Sequence, residues 1–199
     1  MVTGPRRGAS VLPTAACWNT ARTASSPGAL SPPSPPGAWT PPSWCRKKTT
    51  SPLPERCRRV NDWCRLLGKD HVILISIHSN AAGRGDRWLS ARGWCAYTTR
   101  GATRADALAT CLYEAARLHL PGMRLRTDYT DADPDLEKDF YVLRHTLCPS
   151  VLVENLFMDN PSDCAFLLSE EGQQSLVDLH VDGICDYKSQ ILIWPKPNL

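Results

Sequence analysis

Residues 72–80 read VILISIHSN, and the aliphatic part of that run leaves few structural options. It is far short of the roughly 20 apolar residues that span a bilayer. It reads as a strand over residues 71–77, apolar throughout its core, of the kind found in the middle of a parallel sheet with both faces covered. Such a sheet needs helices on both faces, so the remaining sequence has to supply them.

It does so from Leu53 onward. LPERCRRVNDWCRLLG places Leu53, Cys57, Val60, Cys64 and Leu67 at the spacing of one buried helical face. GWCAYTT (93–99) predicts a second strand. Thr103 and Asp106 form a capping-box pattern that opens the helix RADALATCLYEAARLHL. Residues 122–140 are polar and acid-rich and read as a surface loop. SVLVEN (150–155) predicts a third buried strand, and PSDCAFLLS and EEGQQSLVDLHVDGICDYK predict closing helices. Alternating strands and helices give an α/β fold, a single domain with a mostly parallel twisted sheet flanked by helices. In such sheets ligands gather at the carboxyl ends of strands, where His78 and Glu154 both fall.

The text before Leu53 is different. Residues 1–54 contain no Asp, Glu, His, Ile, Phe or Tyr, and they hold the cluster SPPSPPGAWTPPSW. Residues 1–52 therefore read as a Pro-rich segment, disordered or translated out of frame, and residues 53–188 as the folded domain. Residues 189–199 (SQILIWPKPNL) form an apolar tail.

Composition excludes several roles. A net charge of +3 is too small to suggest nucleic acid. There is no apolar run long enough for a membrane span, and the N-terminus has no signal-peptide core, so any export signal is expected to be absent or missing from this chain. The nine cysteines include no C-x-x-C pair, which argues against a zinc finger and for free buried thiols.

Two residues carry candidate chemistry. His78 closes a strand, as either a metal ligand or a buried histidine bonded to a loop. Glu154 follows SVLV, where desolvating a carboxylate is costly unless something pairs with it. A bound water or substrate amide would serve, and so would an arginine such as Arg144. Asn80 and Asn155 are placed to orient the adjoining loops, while His71, His119, His145 and His180 read as surface or helix-face residues.

LPERCRRVND, ILISIHSNA and PSVLVENLFMDNPSDCAFL occur in order and at fitting spacings. Together they resemble the zinc-dependent N-acetylmuramoyl-L-alanine amidases, cell-wall hydrolases of the amidase type 3 family, over about Leu53 to Tyr187. The resemblance implies a bacterial enzyme acting on peptidoglycan, usually outside the cytoplasm and as a monomer. It would hydrolyse the amide between N-acetylmuramic acid and L-alanine. It also implies one Zn2+ held by two histidines and a glutamate, with an open position for water. His78 matches the second zinc histidine and Glu154 the catalytic glutamate. Two other classes remain open: a non-catalytic peptidoglycan-binding or regulatory relative, and a zinc hydrolase of another amide.

The family's first histidine, in a G-H-G motif, and its ligand glutamate should both precede residue 53, where this chain has neither. A one-base shift supplies both. Met1–Gly4, written ATG GTC ACG GG, becomes G-H-G, and the junction of Trp18 and Asn19 must then encode Glu. Trp39–Thr40 forces an Asp, and WCRKKTTSP can become V-P-E-E-D-D-I-P, running naturally into Leu53. The chain as written is thus expected to have lost the first strand and helix of its domain, leaving an uncovered sheet edge.

Overall fold

A computed structural model describes residues 51–193, and all structural statements below concern those residues. Helix α1 (Leu53–Leu67) starts after Pro52 with Pro54 in its first turn, where the missing N–H is not needed. It buries Cys57 and Cys64. Its outer face carries exposed pairs such as Arg58 with Asp62, whose attraction solvent largely screens. Lys69–His71 makes a 3-10 turn that delays strand β1 to Leu74–Asn80, later than its predicted start at residue 71. His78 therefore lies within the strand.

Strands β2 (Cys95–Thr98), β3 (Leu136–Glu137) and β4 (Ser150–Phe157) complete a four-stranded sheet of order β1-β4-β2-β3. The pairs β1–β4 and β2–β3 are parallel, as expected for most of the sheet, whereas β2 runs antiparallel to β4. The reason lies in the connection. Residues 81–94 contain no helix, so the chain returns at the same end of the sheet it left instead of crossing over. Among the described residues β1 is the edge strand, and all seven of its residues are only half-buried.

One face of the sheet carries the main core. Val151, Val153, Ala96 and Trp94 pack there with Leu108, Leu112 and Tyr113 of helix α2 (Arg104–His119) and with Leu176 and Leu179 of the final helix. Trp94 and Tyr113 meet edge to face at 4.9 Å. The other face is smaller: Leu152, Leu74 and Tyr97 lie under Cys57, Phe140, Val142 and Leu143, the last two from the short helix α3 (Tyr141–Arg144). Thr103 and Asp106 form the predicted capping box of α2.

Helices α4 (Pro161–Leu168) and α5 (Glu170–Ile193) close the domain. Helix α5 runs five residues into the segment read as a tail; the rest of that tail and nearly all of the 1–52 segment lie outside the described residues. All seven described cysteines are free, and five are buried, in keeping with their reading as small hydrophobes.

Candidate active site

Register brings the two candidate residues together. His78 on β1 pairs with Glu154 on β4, and Glu154 pairs on its other side with Cys95 on β2. Directly paired residues point to the same face of a sheet, so the three form one row. Just beyond it the ladder slips: Asn80 pairs with Phe157, placing one extra residue on β4. Within that bulge Leu156 adopts φ +62, a left-handed conformation costly for leucine, yet its side chain is fully buried. The packing of Leu156 holds the backbone in this shape beside Glu154.

Buried acids fix the loops around the row. Asp159 Oδ2 accepts the N–H groups of Ala82 and Gly83 at 2.8 and 2.7 Å. Asp163 Oδ2 accepts those of Gly93 and Phe157 at 2.8 and 3.0 Å. Gly93 has φ +111, and a Cβ there would sit 2.5 Å from the Arg124 carbonyl, so only glycine fits. Asn155 Oδ1 accepts the Trp94 indole N–H at 2.8 Å, the orienting role expected of it. Asn61 of α1 ties that helix to the turn before β4, donating to the His145 carbonyl and accepting from Leu147 N–H. Replacing Asp163 with alanine is expected to strand two buried N–H groups and cost about 2–4 kcal/mol, read as a lower urea midpoint at unchanged slope.

Glu154 Oε2 is buried and has no hydrogen-bond partner. Burial pushes its carboxyl up to about 7, against the opposing pull of the Arg126 and Lys138 charges. Arg144 is not its partner; its guanidinium lies 3.9 Å from Asp139. Arg126 is positioned from its main chain, whose N–H donates to Trp94 O and whose carbonyl accepts from Tyr113 Oη–H. Its guanidinium reaches Cys95 Sγ at 3.8 Å and lies over the Phe157 ring at 5.3 Å. Lys138 donates its N–H to Thr98 O. Sequence reasoning missed both cations because they sit in an aperiodic polar stretch.

His78 Nε2 lies 2.8 Å from Ser76 Oγ, and burial followed by the Arg56 charge pushes its pKa down, favouring the neutral imidazole. The other histidines stay away from the row. His145 is exposed and stacked on Tyr141, and His119 pairs with Asp182 at 2.7 Å. His180 lies on a helix face as expected, but that face is buried.

A family profile described as N-acetylmuramoyl-L-alanine amidase matches residues 44–186. The chain belongs to this amidase family. Its fold agrees with solved amidases. That of Clostridium difficile 630 is 23% identical, the match covering 71% of this chain and 67% of that one, with a TM-score of 0.57. AmiC2 of Nostoc punctiforme is 24% identical over 71% and 68% of the two chains, with a TM-score of 0.55. In sequence, the uncharacterized protein YqiI of Bacillus subtilis (strain 168) is 48% identical over 54 residues. That match spans 27% of this chain and only 26% of YqiI.

The described residues do not complete the zinc site that the amidase resemblance implies. A catalytic zinc needs three protein ligands. Among the described residues, one triad of His, Cys, Asp or Glu brings its ligand atoms within 4.8 Å, namely Asp106, Asp133 and Asp135, and neither His78 nor Glu154 belongs to it.

Proposed function

We propose that the intact form of this domain hydrolyses the amide between the lactyl group of N-acetylmuramic acid and L-alanine in peptidoglycan, with Glu154 as general base. The observation that carries this reading is the buried, unpartnered Oε2 of Glu154, held at about 7. A structural carboxylate would have a partner, whereas a base titrating near neutral pH is matched to proton transfer. Glu154 takes a proton from the attacking water as the C–O bond forms, then gives it to the departing amine as the C–N bond breaks. Arg126 and Lys138 keep the carboxylate from rising further.

His78 is the position the resemblance assigns to zinc. Among the described residues it joins no group of three ligand-bearing side chains, so we propose that the chain as written binds zinc weakly and acts as a monomer with an incomplete catalytic domain over 53–188. Peptidoglycan hydrolysis measured with and without a chelator tests this.

The open ligand set also favours a second reading, a peptidoglycan-binding relative without turnover. Sedimentation with purified peptidoglycan but no release of stem peptide, even after the missing histidine and glutamate are restored, would support it over the amidase.

Changing Arg126 to Gln removes the larger of the two charge effects holding Glu154 down. The Glu154 carboxyl is expected to titrate at higher pH in the variant, followed by carbon-detected NMR of the chain as written. No upward movement would remove Arg126 from the role given to it.

A further inference from the structure

Away from the His78–Glu154 row, three carboxylates from two parts of the chain converge. Asp106 stands in the first turn of α2, and Asp133 and Asp135 lie in the loop leading to β3. One oxygen from each lies within 4.8 Å of the other two. Asp135 is only 1% exposed; its Oδ2 accepts the Thr98 hydroxyl at 2.6 Å, while its Oδ1 is buried with no partner. Among the described residues none of the three carboxylates forms an ion pair with a lysine or arginine.

Adjacent buried carboxylates without a cation repel one another and strand lone pairs that water would otherwise satisfy. Two things relieve this, a bound proton or a bound metal ion. Burial, with Asp133 and Asp106 adding to it, pushes Asp135 up to about 7, so the carboxylate is disfavoured as long as no cation is present.

We propose that Asp106, Asp133 and Asp135 bind Ca2+, clamping the acidic loop to the start of α2 and the end of β2. All three donors are anionic oxygens, which suit hard cations and lack the nitrogen and sulfur that zinc favours. Calcium–oxygen distances of about 2.3–2.6 Å allow ligands on opposite sides of one ion to stand about 5 Å apart, so three oxygens within 4.8 Å of one another can share one ion; Mg2+ demands a near-ideal octahedron and gives up its water reluctantly. Water and main-chain carbonyls have to supply the remaining ligands. The clamp holds the segment between Arg126 and Lys138, the two cations that act on Glu154. It is independent of the amidase reading.

The test uses the full chain after chelator treatment, titrated with CaCl2 by calorimetry and by thermal melting. One ion is expected to bind, raising the Tm by several degrees at about 10 mM, above the ~10⁻⁴–10⁻³ M typical of extracellular calcium sites. Mg2+ should act more weakly. Asp133→Asn, at a half-buried position that does not risk the fold as Asp135→Asn does, is expected to weaken Ca2+ binding at least tenfold. Glu154→Gln should leave it unchanged. The proposal is overturned by no calcium-dependent heat or Tm shift, or by Asp133→Asn binding as tightly as the parent. Stabilisation by acid alone, abolished in Asp133→Asn and insensitive to calcium, would identify a shared proton instead and overturn it equally.

Discussion

Shifting the reading frame of residues 1–52 by one base is expected to turn a chain with little amidase activity into an active, chelator-sensitive enzyme. With the codons written above, the shift would restore a histidine in G-H-G and a glutamate in the order that the family resemblance requires. Among the described residues His78 belongs to no group of three ligand-bearing side chains, and one imidazole cannot hold a catalytic zinc. A bound metal supplies several kcal/mol of transition-state stabilisation, so the two forms should differ on the order of 10³-fold in turnover of purified peptidoglycan. Zinc content after dialysis should separate them as well, near one per chain in the restored form. The restored protein is also expected to aggregate less, because β1 of the chain as written has one neighbour among the described residues. Robust chelator-sensitive hydrolysis by the chain as written would sink the argument. So would a gene in which no one-base shift recovers both residues.

The elements were legible in the sequence because each left a local imprint. Cys57 and Cys64 sit at helical spacing and are both buried, Thr103 and Asp106 cap α2 as read, and the SVLV run is the core of β4. His78 and Glu154 read as strand-end residues, but both strands run on, to Asn80 and Phe157, so each lies within its strand; their pairing across β1 and β4 follows from strand register. What escaped was set at longer range. The antiparallel direction of β2 depends on where a helix-free connection delivers the chain, which no spacing within β2 records. Arg126 and Asp135 belong to a stretch that is polar in sequence and reads as solvated loop. One is pinned by Trp94 and Tyr113, the other drawn under Thr98, and both placements depend on distant partners. The left-handed Leu156 is illegible for the same reason, since leucine carries no local preference for that conformation.

Changing Glu154 to Gln in the frame-restored protein is expected to lower hydrolysis about 10²–10⁴-fold while leaving zinc bound. In chelated protein the same change is expected to raise stability. Burial lifts the folded-state carboxyl from 4.5 to about 7. Below pH 4.5 both folded and unfolded states hold the proton, and the group then imposes no charge-burial cost. As pH rises toward 7 the unfolded state gives up its proton more readily, so stability falls and the loss is complete above the folded-state value. Glutamine carries no charge to desolvate, so the variant should match the parent near pH 4 and exceed it near pH 8 by about 1–2 kcal/mol, a figure reduced for the partial exposure of the group. Urea melts at the two pH values measure the gap. A variant that is less stable at pH 8 would mean that the carboxylate is satisfied in the folded state, and the case for Glu154 as a base poised near neutral pH would fail. A carboxylate that costs stability at working pH, on a strand whose neighbours Val153 and Asn155 are fully packed or bonded, is what the proposed role of Glu154 as general base predicts.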